Sequence, residues 1–319
     1  MDEQEEKILS QVKVLVLGGG NSPEREISLR SAKYIAKAAR DAGFDVEEYD
    51  PSKGLTYIVK VPKSTLVLPI LHGINGEDGV IQAVLEEHNL PYLGSNSTSS
   101  AACFDKWKTR EVLKATNLPM TKGALVTKNT YASHFLSKRP HVLKVRRGGS
   151  SIGTLIVRDI AKRDMGEIDK IFTIDSEALI EELIEGPELT IPILDQSALP
   201  VIEIVPPEGK EFDYENKYNG LTQEICPPIN VSMDIQKEAQ VLAEKVHKVM
   251  NCRHLSRVDI MADKNDSLFV LEINTIPGLT DQSLYPKSAA AAGIDMPSLV
   301  KKFVDMVARD YDLKSSLLE

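Results

Sequence analysis

Three oxygen-bearing side chains late in the chain, Asp259, Glu272 and Asn274, have types and a spacing that could do chemistry. The stretch SRVDIMADKNDSLFVLEIN reads as two strands joined through KNDS, where Asn265 and Asp266 suit a turn. A symmetric turn places Asp259 opposite Glu272 and Arg257 opposite Asn274, with Val258, Ile260, Leu271 and Ile273 on the other face. Two carboxylates directly across a strand pair repel and weaken the sheet unless a cation lies between them. Ligands offering only oxygen suit Mg²⁺, which takes few protein ligands and completes its octahedron with water and nucleotide phosphates. A polar sheet face open to water is the plainer reading, and the facing carboxylates move it toward a metal site.

A second group bears on phosphate. VLKVRRGGSSIG puts Lys144 on an apolar strand ahead of a Gly/Ser loop whose N–H groups can approach phosphate oxygens closely. Alone this is weak, since a solvated lysine beside a surface loop reads the same way. GGGNSPERE invites a dinucleotide reading, but Pro23 stands where the third glycine of G-x-G-x-x-G belongs, and Asp50 is farther on than that fingerprint requires. A nicotinamide site therefore ranks low. FDYENKYNGLTQEICP is polar with few packing residues, as a mobile lid is.

Elements that position these residues can be read from periodicity. VKVLVLGGG reads as a buried strand ending in glycines, and EISLRSAKYIAKAARDAG as a helix closed by Gly43. DVEEYD, STLVLPIL and LPYLGS supply further strands, with GVIQAVLEEHN a helix between the last two, so residues 12 to about 98 read as an open α/β sheet. Ligand groups lie at the strand ends of such sheets. A helix at FDKWKTREVLKATN leads into GALVT, HVLKV, TLIVRD and ALIEELI, a small α+β unit to about residue 190. LTIPIL, LPVIEIV, a helix at IQKEAQVLAEKVHKVMN, the hairpin and a terminal helix at MPSLVKKFVDMVARDY complete the chain.

The order Asp259, then Glu272-Ile273-Asn274, then TIPGLTDQSL resembles the ATP-grasp ligases, and within them the D-alanine:D-alanine ligases, from about residue 12 to about 308. The resemblance implies a mixed α/β and α+β, three-domain ATP-grasp fold: an N-terminal open α/β substrate domain (1–98), a central domain (99–190) and a C-terminal domain carrying lid and Mg²⁺ site (191–319). ATP would be gripped between the last two. It implies nucleotide contacts from Lys106, Lys144, Ser151, Lys217 and Glu188, and from a hinge spanning Glu181, Glu182, Leu183 and Ile184. Val145 stands where the family commonly has proline.

The same resemblance gives Glu24 and His72 to the first amino acid and Ser283 to the second substrate's carboxylate. It implies a Glu24, Ser150 and Tyr218 triad that locks the lid, with Lys217 on the carboxylate or transferred phosphate. Arg257 and the Gly278 N–H are implied to stabilise the oxyanion, and Asp259, Glu272 and Asn274 to hold Mg²⁺, as two ions with Mn²⁺ an alternative. The activity implied is ATP-dependent joining of two D-alanines through an acyl phosphate, for peptidoglycan precursor synthesis. D-Alanine:D-lactate or D-alanine:D-serine ligation and a catalytically silent ATP-grasp binder are the alternatives. Tyr218 is the residue type of dipeptide-forming members, whereas depsipeptide-forming relatives have His or Phe there. The partners implied are D-alanine and ATP, with a homodimer favoured.

Bulk properties agree. At 319 residues the chain exceeds the roughly 250 at which single cores tend to split. A formal charge of -9 argues against general attraction to nucleic acid or anionic lipid while permitting a local basic pocket. MDEQEEKILSQ lacks an apolar signal-like stretch and no run is long enough to span a bilayer, so a cytoplasmic protein is expected. Cys103, Cys226 and Cys252 are odd in number, far apart and outside any CxxC pattern, which reads as reduced packing residues.

Overall fold

The computed structural model describes residues 12–149, 152–207 and 221–312. Among them the strands form three sheets. The first is parallel, in the order β2-β1-β3, from β1 (Lys13–Leu17), β2 (Asp45–Tyr49) and β3 (Leu66–Pro69). Helix α1 (Arg25–Asp41) packs against it with Ser28, Ser31, Ala32, Ile35, Ala36 and Ala39 buried, a face of small residues around one large one. Ser28 also accepts the Gly19 N–H (2.9 Å) and donates to the Ile70 carbonyl (2.6 Å), tying the glycine loop to the sheet end. LPYLGS, expected as a strand, makes only a bridge between Tyr92 and Val67. Pro91 has no N–H to donate, and Gly94 (φ +103°) turns the chain away.

After α2 (Val80–Glu87) comes a helix that the sequence reading did not include, α3 (Ser97–Phe104), and then the one expected over FDKWKTREVLKATN, α4 (Lys106–Ala115). Asp105 breaks them: its backbone is extended and its carboxylate accepts the N–H groups of Trp107 (3.0 Å) and Lys108 (3.2 Å), starting α4 at Lys106. The second sheet is antiparallel, in the order β4-β7-β5-β6, with β4 (Gly123–Thr127), β5 (His141–Val145), β6 (Thr154–Val157) and β7 (Glu177–Glu182). Helix α5 (Met165–Ile174) buries Ile168 and Ile171 in the same core as β5 and β7.

The third sheet runs β11-β10-β8-β12-β13, with β9 on β8; the strands are β8 (Glu188–Leu194), β9 (Ser197–Ala198), β10 (Ile202–Val205), β11 (Gln223–Ile225), β12 (Leu255–Ala262) and β13 (Leu268–Asn274). Helix α6 (Met233–Val249) covers it with Ala239, Ala243 and Val246 fully buried. The hairpin has the expected pairs: Arg257 faces Asn274, Val258 faces Ile273 and Asp259 faces Glu272. They arise differently from the symmetric turn. Nearer the turn the register is Ile260 to Val270 and Ala262 to Leu268, and a bulge between the two registers leaves Leu271 unpaired. Leu271 thus lines the large cavity described below instead of packing with Ile260.

Helix α7 (Leu284–Ala291) leads to α8 (Met296–Asp310), whose Val300, Phe303, Val304 and Val307 join β1, β3 and α1 in one core. Each such burial contributes about 1.5–3 kcal/mol. A polar seam joins residues 92–99 to 251–254. Ser99 Oγ donates to the Asn251 carbonyl (2.9 Å), the Gly94 N–H donates to His254 Nδ1 (2.9 Å), and Arg253 Nε donates to the Gly94 carbonyl (2.7 Å). The Arg253 guanidinium lies 4.8 Å from the Tyr92 ring centre and 5.6 Å from that of Tyr311. Arg253→Ala is expected to lower the unfolding free energy by about 3 kcal/mol, from a charged hydrogen bond and the stacking on two rings. Denaturant melts check this, and a loss within error would remove the seam from the list of stabilising features.

Candidate active site

A cavity of about 370 Å³ opens between the second and third sheets. Its walls include Lys106, Lys144, Glu181, Glu182, Leu183, Ile184, Glu188, Asp259 and Glu272, residues spread over more than 160 positions of sequence. Its apolar lining adds Val142, Ile152, Ile156, Met261 and Leu271. The sequence reading missed Ile156 and Met261 as lining residues because they read only as ordinary strand positions.

The hinge follows from local structure. β7 ends at Glu182 and β8 begins at Glu188, so residues 183–187 make the connection and Glu181 sits inside the strand. Gly186 is required there, because a Cβ would stand 1.9 Å from the Ala262 carbonyl oxygen. The Glu181 carboxylate, 2% exposed, accepts from Arg110 Nη1 (2.6 Å), Thr121 Oγ1 (2.6 Å) and Lys144 Nζ (2.9 Å). Burial would raise the carboxyl, but Lys144 and Arg110 prevail and hold it below its ordinary range. Lys144 is correspondingly raised, the carboxylates Glu181 and Glu272 outweighing burial. Arg110, which carries no motif, escaped the sequence reading.

Lys106 is the opposite case. Its Nζ donates to the Gly148 carbonyl (2.6 Å) and lies 3.9 Å from Glu272 Oε2, and burial lowers its pKa despite that carboxylate. Two buried lysines therefore face one space. The loop between β5 and β6 is fixed at its base by the Val145 N–H, which donates to the Gly153 carbonyl (2.9 Å), a bond that proline cannot make. Arg146 clamps the same loop to Asp105 (2.8 Å) and Glu177 (2.6 Å).

On the hairpin face, Arg257 Nη2 pairs with Asp259 Oδ2 (2.8 Å), and Thr190 Oγ1 donates to Asp259 Oδ1 (2.6 Å) from the neighbouring strand. Asn274 Oδ1 accepts the Ile276 N–H (2.9 Å). All three side chains offer oxygen, the ligand type of a hard divalent cation, and Arg257 and Thr190 orient the Asp259 carboxylate through both of its oxygens. No cluster of three or more His, Cys, Asp or Glu suited to a metal occurs among the described residues.

A smaller cavity adjoins this face, lined by Glu77, Lys106, Gly149, Glu272 and Asn274 among others. Glu24 is 6% exposed, and a Cβ on Gly149 would stand 3.4 Å from its Oε2 and 3.5 Å from Glu77 Oε2, so the first and second sheets' loops meet here. Glu77 was not singled out by the sequence; burial and the Glu24 charge push its carboxyl well up, and Oε1 has no hydrogen-bond partner. His72 is buried behind the loops with Nε2 3.3 Å from Ser31 Oγ, and burial pushes its pKa down to about 4, so it is neutral. It lines neither cavity. Ser283 Oγ contacts Thr280 Oγ1 (2.8 Å), and a Cβ on Gly278 would lie 2.9 Å from it. Ser150, Ser151, Lys217 and Tyr218 lie outside the described residues. Asp50, too far along the chain for the dinucleotide fingerprint, accepts the Gly20 N–H (3.0 Å) and pairs with Arg25 Nη2 (2.5 Å), which commits it to the glycine loop.

The model of the D-Ala–D-Ala ligase C-terminus matches residues 112–305. A D-alanine–D-alanine ligase of Actinobacillus succinogenes is 39% identical over 94% of this chain and 99% of its own length. The chain belongs to the D-alanine–D-alanine ligase family. Its fold is accordingly ATP-grasp. The crystal structure of the Bacillus anthracis family member is 30% identical, with TM-score 0.81 over 95% of this chain and 99% of that one; its complex with ATP gives 0.79 at 28%, with the same coverage. The VanG D-Ala:D-Ser ligase of Enterococcus faecalis is 26% identical, with TM-score 0.77 over 93% of this chain and 99% of that one.

The Glu181 network gives a pH signature. A carboxyl depressed in the folded state stabilises fully above its unfolded pKa of about 4.3 and loses that stabilisation as pH falls through the folded value. Glu181→Gln is expected to melt well below the parent at neutral pH, with the gap narrowing as pH falls below about 4. Thermal melts across pH check this; a gap independent of pH would contradict it.

Proposed function

We propose that this family member joins two molecules of D-alanine, using ATP, through an acyl-phosphate intermediate, supplying dipeptide for peptidoglycan precursors. The observation that carries the reading is the single cavity in which Lys106 and Lys144 meet Asp259 and Glu272 beside an apolar slot. The slot formed by Val142, Ile156, Met261 and Leu271 suits a purine, with the hinge at 183–187 offering backbone groups and Glu188 at the ribose. Lys144, held by Glu181, and Lys106, held by the Gly148 carbonyl, are aimed where the phosphates would lie. Mg²⁺, as two ions with Mn²⁺ an alternative, would be held by Asp259, Glu272 and Asn274; when bound it neutralises charge on phosphate oxygens.

In this reading the first D-alanine lies beside Glu24, with neutral His72 behind it, so that its carboxylate meets the γ-phosphoryl group. The amine of the second D-alanine attacks the acyl phosphate, the tetrahedral carbon collapses and phosphate leaves. Arg257 and the Gly278 N–H would stabilise the oxyanion, and Ser283 would receive the second carboxylate. Asp259 orients the guanidinium for this role. Ser150, Ser151, Lys217 and Tyr218 are assigned to loop and lid, which exclude water from an intermediate that water would hydrolyse. The domain division 1–98, 99–190 and 191–319, a cytoplasmic location and a homodimer belong to the same proposal. No helix among the described residues is long and apolar enough to cross a membrane.

Phosphate release from ATP and Mg²⁺ with D-alanine, beside L-alanine and mixtures of D-alanine with D-lactate or D-serine, tests the reading when products are identified by mass. D-Alanyl-D-alanine as the main product is expected. A depsipeptide or D-alanyl-D-serine would reassign the second substrate, and silence despite ATP binding would retract the chemistry. Glu272→Gln is expected to preserve the circular dichroism spectrum while lowering turnover by about two orders of magnitude or more, the scale of a lost electrostatic stabiliser. Near-parental turnover would sink the role of the hairpin carboxylates.

A further inference from the structure

Cys103 and Cys252, 149 positions apart in sequence, touch: their sulfurs are 3.6 Å apart in the core under α6. Both are free thiols. Cys103 is the penultimate residue of α3, and Cys252 follows α6 on the approach to β12, which carries Arg257 and Asp259. The two segments are already latched by the Ser99–Asn251 and Gly94–His254 hydrogen bonds, so the sulfurs meet in a fixed seam.

We propose that Cys103 and Cys252 are a redox-modification site, which a peroxide joins in a reversible disulfide that displaces the start of α4 and with it Lys106. Bonded sulfurs lie about 2.05 Å apart, so closure draws them together by about 1.5 Å. The pull falls on the end of α3. Asp105 and Lys106 follow directly, and Lys106 is held by backbone N–H to the Arg146 carbonyl (3.0 Å) and by Nζ to the Gly148 carbonyl (2.6 Å). Cys103 also forms part of the wall of the smaller cavity beside Lys106 and Glu272, which gives a small oxidant a route to the pair. The two thiols share one hydrogen bond, which lowers Cys252 and, with burial, raises Cys103.

The chemistry balances with one hydrogen peroxide. One of the two sulfurs, as thiolate, attacks a peroxide oxygen, the O–O bond breaks, and the departing hydroxide takes the proton released from that thiol and leaves as water, giving a sulfenic acid. The other sulfur attacks that sulfur, the S–S bond forms and the S–O bond breaks. The leaving hydroxyl takes the second thiol's proton as a second water. Two thiols lose two electrons and one peroxide becomes two waters. Dithiothreitol reverses the bond by exchange.

The test uses the full chain carrying Cys226→Ser, which leaves the pair as its only thiols. After peroxide treatment without nucleotide, a non-reducing digest is expected to show the Cys103 and Cys252 peptides joined, two hydrogens lighter than their sum, and released by dithiothreitol. The KM for ATP, which rests on the ligase reading, is expected to rise about tenfold on oxidation, a modest part of what a 1 Å misplacement can cost. Adding Cys252→Ser is expected to abolish both effects. Absence of the joined peptide at a peroxide dose that oxidises a small free thiol completely overturns the proposal, and so does a joined peptide with unchanged affinity for ATP. The peptide map needs neither turnover nor the second substitution, so it decides the disulfide even if the chain proves not to be a ligase or the double variant does not fold.

Discussion

Asp259 and Glu272 face one another across adjacent strands, and much of the molecule is arranged around that repulsion. Arg257, two residues before Asp259 and on the same face, pairs with it, and Lys106 approaches Glu272 from α4. Arg257 belongs to the hairpin itself and Lys106 to α4, so charge ties the hairpin to α4. The bulge at Leu271 makes this possible, since without it the register set near the turn would carry through and put Glu272 out of line with Asp259.

Glu181 plays the matching part in the second sheet. Buried charges cost several kcal/mol each when unpaired, and its carboxylate is satisfied by Arg110, Thr121 and Lys144 together. The lysine gains a fixed direction from an anion that solvent cannot reach. Lys106 has no such anion at close range, and its lowered pKa reflects burial that an incoming phosphate would offset.

Much of this was legible in the sequence where a residue type and its spacing have one physical meaning. The pairing of Asp259 with Glu272 could be read because strand alternation has period two, and the glycine loop after β1 because small residues must precede a close-packed helix. The bulge was not legible, because the residues near KNDS suit either register. Helix α3 was not legible, because STSSAACF carries no apolar stripe at helical spacing. Arg110 and Glu77 carry no motif, and their meaning comes from partners remote in sequence. The contact of Cys103 with Cys252 is the clearest case, since wide separation in sequence says nothing about separation in space.

The terminal helix α8 packs against α1 and β3, so residues 296–310 complete a core begun by residues 12–17. Chains emerge from the ribosome in order, and domains generally fold as units as they emerge. The same core also takes Leu255, Leu279 and Tyr285, and the part of it that Val300, Phe303 and Val307 cover stays open to water and to other chains until residues 296–310 have been made and docked. Heat or truncation that frees α8 would expose it again.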